Sequence, residues 1–212
     1  MAILRQCNYL QGESQRPKPG RVGKTNRMQE TETVILPRPL VLVGLMGAGK
    51  SAVGRRVAAR LNVPFIDADT EIEKAAGCTV SEIFEREGEE GFRAGERRVV
   101  ARLLNTEPVH VLATGGGAFM DPETRALIRD KGISLWLRAD LEVLFERVSR
   151  RSHRPLLKTA DPKGTLAALM EKRYPVYAEA DMIVESGAGP IDNMVDKVLA
   201  ALRDYVRQGE SA

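Results

Sequence analysis

From Leu40 onward, short apolar runs alternate with longer stretches of helical periodicity, the pattern of a parallel α/β sheet. Strands are expected over residues 40–44, 65–67, 110–114, 133–137 and 182–185. Helices are expected to start near Lys50, Thr70, Val80, Glu89, Asp121, Asp140, Gly164 and Pro190. Asp121, followed by Pro122, and Asp140 supply N-terminal caps for two of them. Residues 150–162 are polar and basic and lack clear periodicity. Their length exceeds a minimal helix–helix connection, so they are expected to form a mobile lid.

Residues 1–36 do not share this pattern. They carry Arg5, Arg16, Lys18, Arg21, Lys24 and Arg27 among prolines and glycines, with few large apolar side chains. Such a segment buries too little surface to offset chain entropy and is expected to be a disordered leader. Its prolines and glycines oppose a continuous amphipathic targeting helix. Met28 stands close to the start of the regular pattern, and translation from it would still yield the whole of the expected domain, 37–212.

Composition narrows the picture only a little. At 212 residues, 43% hydrophobic and 29% charged, the chain suits one well-buried globular domain. A net charge of +3 gives no strong electrostatic case for nucleic acid or membrane binding. Cys7 and Cys78 are far apart and make no metal-type or redox spacing, so a reduced, cytoplasmic setting is expected. No apolar run approaches the length of a membrane span.

The chemistry begins where the first strand ends. Gly44-Leu45-Met46-Gly47-Ala48-Gly49-Lys50-Ser51 follows a strand and opens a helix, the context that a P-loop requires. Glycines let backbone N–H groups turn inward around phosphates, and the helix N-terminus adds a favourable dipole. Lys50 is placed to reach the β- and γ-phosphates, and the Ser51 hydroxyl to ligate Mg²⁺.

The second strand ends in Asp67-Ala68-Asp69. In an extended chain both carboxylates share one side, at the strand ends that face the ligand crevice. One can serve a metal shell while the other accepts a proton from a hydroxyl nucleophile. A helix cap at Asp69 is the plain alternative, though it leaves Asp67 unexplained. The third strand carries no aspartate at its end and leads into Thr114-Gly115-Gly116-Gly117, so Asp67 becomes the candidate carboxylate for the metal. Three successive glycines suggest a close backbone approach to a ligand; a flexible turn is the alternative.

Arg93 and Glu96 share a helix face at i, i+3, an arrangement that is often a surface ion pair. Arg154 stands in the expected lid, Arg147 two helical turns before it, and Arg173 opens Arg-Tyr-Pro-Val-Tyr. Arginine's planar fork suits a small carboxylate, and a lid arginine suits the charge of a transferring phosphoryl group.

Taken together, residues 44–51, Asp67-Ala68-Asp69, Phe92-Arg93-Ala94-Gly95-Glu96, the Gly115 to Gly117 run, Arg154-Pro155-Leu156-Leu157 and Arg173-Tyr174-Pro175-Val176-Tyr177 resemble the shikimate kinase family. The resemblance spans residues 38–200. It implies a three-layer P-loop α/β fold, with a five-stranded parallel sheet flanked by helices and a mobile lid. It also implies transfer of the γ-phosphate of ATP to the 3-hydroxyl of shikimate, with Mg²⁺ as cofactor, in the pathway to aromatic amino acids.

Carried over by residue, the resemblance implies ATP binding by Gly47, Ala48, Gly49, Lys50, Ser51, Ala52, Arg147 and Arg154. Shikimate falls to Asp69, Arg93, Gly115, Gly116, Gly117 and Arg173, and the metal to Ser51 and Asp67. Lys50, Asp69 and Arg154 are the implied catalytic set, Glu96 holds Arg93, and residues 186–190 fall where the family has its adenine loop. A monomer is expected. A gluconate or nucleotide kinase, or a non-catalytic ATP-binding regulator, are the competing readings.

Overall fold

Strands β1 (Leu40–Val43), β3 (Val111–Ala113) and β4 (Ile133–Arg138) are buried at every position but the last, Arg138. Side chains alternate between faces along a strand, so burial of successive residues means that both faces of the sheet are covered. The computed structural model describes residues 35–150, 160–187 and 189–210. With β2 (Phe65–Asp67) and β5 (Met182–Glu185), these strands form a five-stranded parallel sheet in the order β2-β3-β1-β4-β5. The edge strand β5 alternates between buried and exposed positions, with Ile183 facing out.

The register aligns the functional strand ends. Leu42 pairs with Ala113 and Asp67 pairs with Ala113, while Val43 pairs with Trp136. Thr114 reinforces the seam, its N–H and hydroxyl both donating to the Leu42 carbonyl, at 3.2 and 3.0 Å. The turns after β1 and β3 therefore leave the sheet side by side, at its carboxyl edge, where open α/β sheets bind ligands.

The flanking helices are α1 (Lys50–Leu61), α2 (Ala68–Ala76), α3 (Val80–Thr106), α4 (Pro122–Lys131), α5 (Leu141–Ser149), α6 (Pro162–Tyr177) and α7 (Ile191–Glu210). Local signals account for most boundaries. Thr79 and Glu82 form a reciprocal capping box at the start of α3. Asp121 caps α4 and Asp161 caps α6, each followed by a proline in the first turn. Gly88, at φ 70° and ψ −175°, breaks α3 where the sequence pattern expects a second helix near Glu89.

Two expectations shift. The helix expected near Thr70 begins at Ala68, and a 3₁₀ turn (Ala118–Met120) follows the glycine run. Residues 1–34, nearly all of the expected leader, lie outside the described residues, as do 151–159 of the expected lid; α5 and α6 bracket the latter. Leu36, assigned to the leader from its sequence, is 6% exposed and belongs to the core. Among the described residues, no helix is long and apolar enough to cross a membrane.

Candidate active site

The turn after β1 is shaped by backbone angles that residues other than glycine rarely adopt. Gly44, Gly47 and Gly49 have φ values of 137°, 84° and 97°. Gly49 is the N-cap of α1 and has no side chain to satisfy the first amides. The first turn of α1 is thus an anion site by construction. Lys50 Nζ donates to the Gly44 and Leu45 carbonyls at 2.7 and 3.1 Å, which holds the ammonium over the same turn. Ala48 is buried beneath it, and Ala52 follows within α1.

Ser51 Oγ donates to Asp67 Oδ2 at 2.7 Å. This pairs a hydroxyl with a carboxylate at the mouth of the turn, the hard oxygen donors that Mg²⁺ prefers. Asp69 does not stay beside Asp67, as an extended chain would require. Asp67 is the N-cap of α2 and Asp69 lies in its first turn, where carboxylates favour the helix dipole. The helical turn separates the two carboxylates, sending Asp67 to Ser51 and Asp69 to the neighbouring glycine run.

That run is built on space. A Cβ on Gly115 would stand 2.7 Å from Glu96 Oε1 and 3.0 Å from Asp69 Oδ1. On Gly116 it would meet Arg173 Nη1 at 3.2 Å, and on Gly117 it would overlap the Arg93 guanidinium. None of the three has a positive φ. Each glycine therefore makes room for a charged side chain rather than for an unusual backbone.

The charged groups also hold one another. Arg93 Nη1 donates to Glu96 Oε2 at 2.6 Å and Nη2 to Glu89 Oε1 at 3.3 Å. Arg173 Nη1 donates to the Gly116 carbonyl at 3.0 Å. Burial, and then the nearby Asp69 carboxylate, push the Glu96 carboxyl above its ordinary range, while Arg93 and Arg173 pull it down. Burial also acts on Arg93, but its Glu96 and Glu89 partners outweigh it and raise its value.

On the other side of the phosphate turn, Arg147 donates to the Gly47 carbonyl, to Ser186 Oγ and to the Gly187 carbonyl, at 3.3, 2.9 and 2.6 Å. Ser186 Oγ in turn donates to the Ala48 carbonyl at 3.0 Å. The loop after β5 is thereby fastened to the glycine-rich turn. Sequence reading located that loop but gave Ser186 no task; its partner is 138 residues away.

Tyr177 was likewise only part of a motif. Its hydroxyl donates to the Gly116 carbonyl, and its spacing of four from Arg173 on α6 is the signal that pairs them. Trp136, within β4, packs edge-on to Tyr174 at 4.8 Å and lies 5.8 Å from the Tyr177 ring. Arg154 falls in 151–159 and lies outside the described residues.

The family model for shikimate kinase matches residues 46–203. A shikimate kinase of Rhodopseudomonas palustris is 55% identical over 184 residues, 87% of this chain and 90% of its own. One from Bradyrhizobium diazoefficiens is 58% identical over 169 residues, 80% of this chain and 81% of its own. Among solved structures, shikimate kinase from Acinetobacter baumannii in complex with shikimate is 37% identical with a TM-score of 0.75, covering 81% of this chain and 95% of that one. On these matches the chain belongs to the shikimate kinase family.

Proposed function

We infer that this protein transfers the γ-phosphate of ATP to the 3-hydroxyl of shikimate. The observation that carries the reading is the Gly115 to Gly117 turn. Asp69, Glu96, Arg93 and Arg173 surround it, and it stands beside the phosphate-binding turn on an adjacent strand. Two arginines and two carboxylates around one small glycine turn suit a polyhydroxy carboxylate. Membership of the family and its relatives' names support the same substrate.

In this reading the amides of residues 47–52 and Lys50 hold the β- and γ-phosphates and align the donor with the acceptor. Ser51 and Asp67 would hold Mg²⁺, which would supply charge neutralisation at the phosphate oxygens. Arg147 lies beside the base, between the phosphate turn and the loop after β5. Arg93 and Arg173 grip the shikimate carboxylate, and Glu96 keeps Arg93 in position. Asp69 accepts a hydrogen bond from the attacking hydroxyl and takes its proton as the new P–O bond forms and the bond from the γ-phosphorus to the ADP oxygen breaks, with ADP leaving. Arg154 is assigned to the developing charge on the phosphoryl group.

Steady-state phosphorylation of shikimate, gluconate and a nucleoside monophosphate, with ADP release coupled to NADH oxidation, tests the reading. Shikimate is expected to have by far the highest kcat/KM. Faster turnover of either competitor would overturn the substrate. ATP binding with no turnover of any of them would instead favour a non-catalytic regulator.

A further inference from the structure

We propose that Tyr177 is a positioning residue for the acceptor substrate, acting through the Gly116 carbonyl to fix the orientation of Arg173; this rests on the reading of Arg173 as part of the carboxylate clamp. The geometry around one carbonyl oxygen carries it. Gly116 O accepts from the Tyr177 hydroxyl and, at 3.0 Å, from Arg173 Nη1. A carbonyl oxygen has two lone pairs, so these two donors fill it. With one lone pair taken by Tyr177, Arg173 Nη1 is confined to the other. A guanidinium is a rigid planar fork tethered to α6 at its other end, so holding one N–H narrows the directions open to the remaining donors.

The tyrosine is itself held firmly enough to serve this purpose. It is fully buried, and its ring lies 5.8 Å from Trp136 and 6.4 Å from Phe119, which adjoins the glycine run. Burial, opposed by the charge of Arg173 and by its hydrogen bond to the phenol oxygen, pushes the hydroxyl up to about 12, so it remains a donor at any working pH. A buried hydroxyl is costly unless bonded, and a phenyl ring alone would fill the same space. The hydroxyl's bond lands on the one carbonyl to which the clamp arginine is also attached. Tyr177 and Arg173, four residues apart on α6, thus form a two-point attachment of that helix to the substrate turn.

The test uses the full chain and the Tyr177→Phe variant, which removes only the hydroxyl. The shikimate KM is expected to rise about threefold to tenfold, the value of one hydrogen bond, with the ATP KM little changed. Added to Arg173→Lys, the second substitution is expected to have almost no further effect, because the residue it acts through is already altered. An unchanged shikimate KM in Tyr177→Phe, with a raised one in Arg173→Lys, overturns this proposal and leaves the clamp intact. An unchanged KM in Arg173→Lys removes the clamp and this proposal with it. Equal rises in both substrates' KM values in Tyr177→Phe show general loosening of the fold and also overturn it.

Discussion

Two glycine-rich turns leave adjacent strands of this sheet, and only the first needs glycine for its backbone angles. In the turn after β1, Gly44, Gly47 and Gly49 occupy positive φ; a Cβ on Gly44 or Gly47 would also stand 2.8 Å from Leu137 O or Val148 Cγ2, whereas on Gly49 it would have only Val53 within 4 Å, at 3.6 Å. Conformation constrains all three there, and at Gly49 it acts alone. In the turn after β3, the backbone is ordinary and the side chains of Glu96, Asp69, Arg173 and Arg93 press against the Cα atoms. Volume is the constraint there. The first arrangement aims backbone N–H groups at an anion that every ATP presents. In the function proposed above, the second brings charged side chains together closely enough to read one particular acid.

The carboxylates that face the two turns should separate most widely. Asp69→Asn is expected to lower kcat by about 10²–10⁴-fold while ATP affinity is retained. Asp67→Asn is expected chiefly to raise the Mg²⁺ concentration needed for half-maximal rate. Magnesium titrations of both variants under steady-state conditions check this, and similar profiles would merge the two halves.

Next comes Gly117→Ala. Overpacking against Arg93 is expected to raise the shikimate KM by about tenfold to a hundredfold, with the ATP KM unmoved. A smaller effect is expected at Gly49→Ala, where a left-handed alanine costs about 1–2 kcal/mol and weakens ATP instead. Gly49→Asn should recover part of that loss, because asparagine tolerates positive φ. If alanine and asparagine are equally damaging, space rather than conformation governs the first turn.

The smallest effect concerns Glu96. Its carboxyl is raised in the folded protein, so as pH rises the unfolded chain loses this proton before the folded one does. Its contribution to stability therefore declines from the ordinary carboxylate range up to its folded value, and is level above that. Glu96→Gln should remove this slope, as read from urea midpoints across a pH series; an unaltered slope would assign the titration elsewhere.

Much of this molecule is legible in its sequence, because strands and helices announce themselves by period. All five strands and the break near Gly88 fall where the pattern places them. The start of α2 does not, because Asp67-Ala68-Asp69 reads equally as a strand end or as a cap with an acidic first turn. The phosphate turn is legible because its spacing is local. The links from Ser186 to Ala48 and from Tyr177 to Gly116 are not, because they join residues far apart in sequence through single hydrogen bonds. Nor does a run of glycines declare whether angle or volume demands it; that requires knowing which side chains arrive opposite.

Trp136 gives this arrangement an optical consequence. It is the chain's single tryptophan. Its Cδ1 lies 3.4 Å from where a Cβ on Gly44 would stand, and its ring contacts Tyr177, which holds Gly116. One indole therefore borders the foundations of both turns, and its emission is expected to respond, without a label, when ATP or shikimate is added alone.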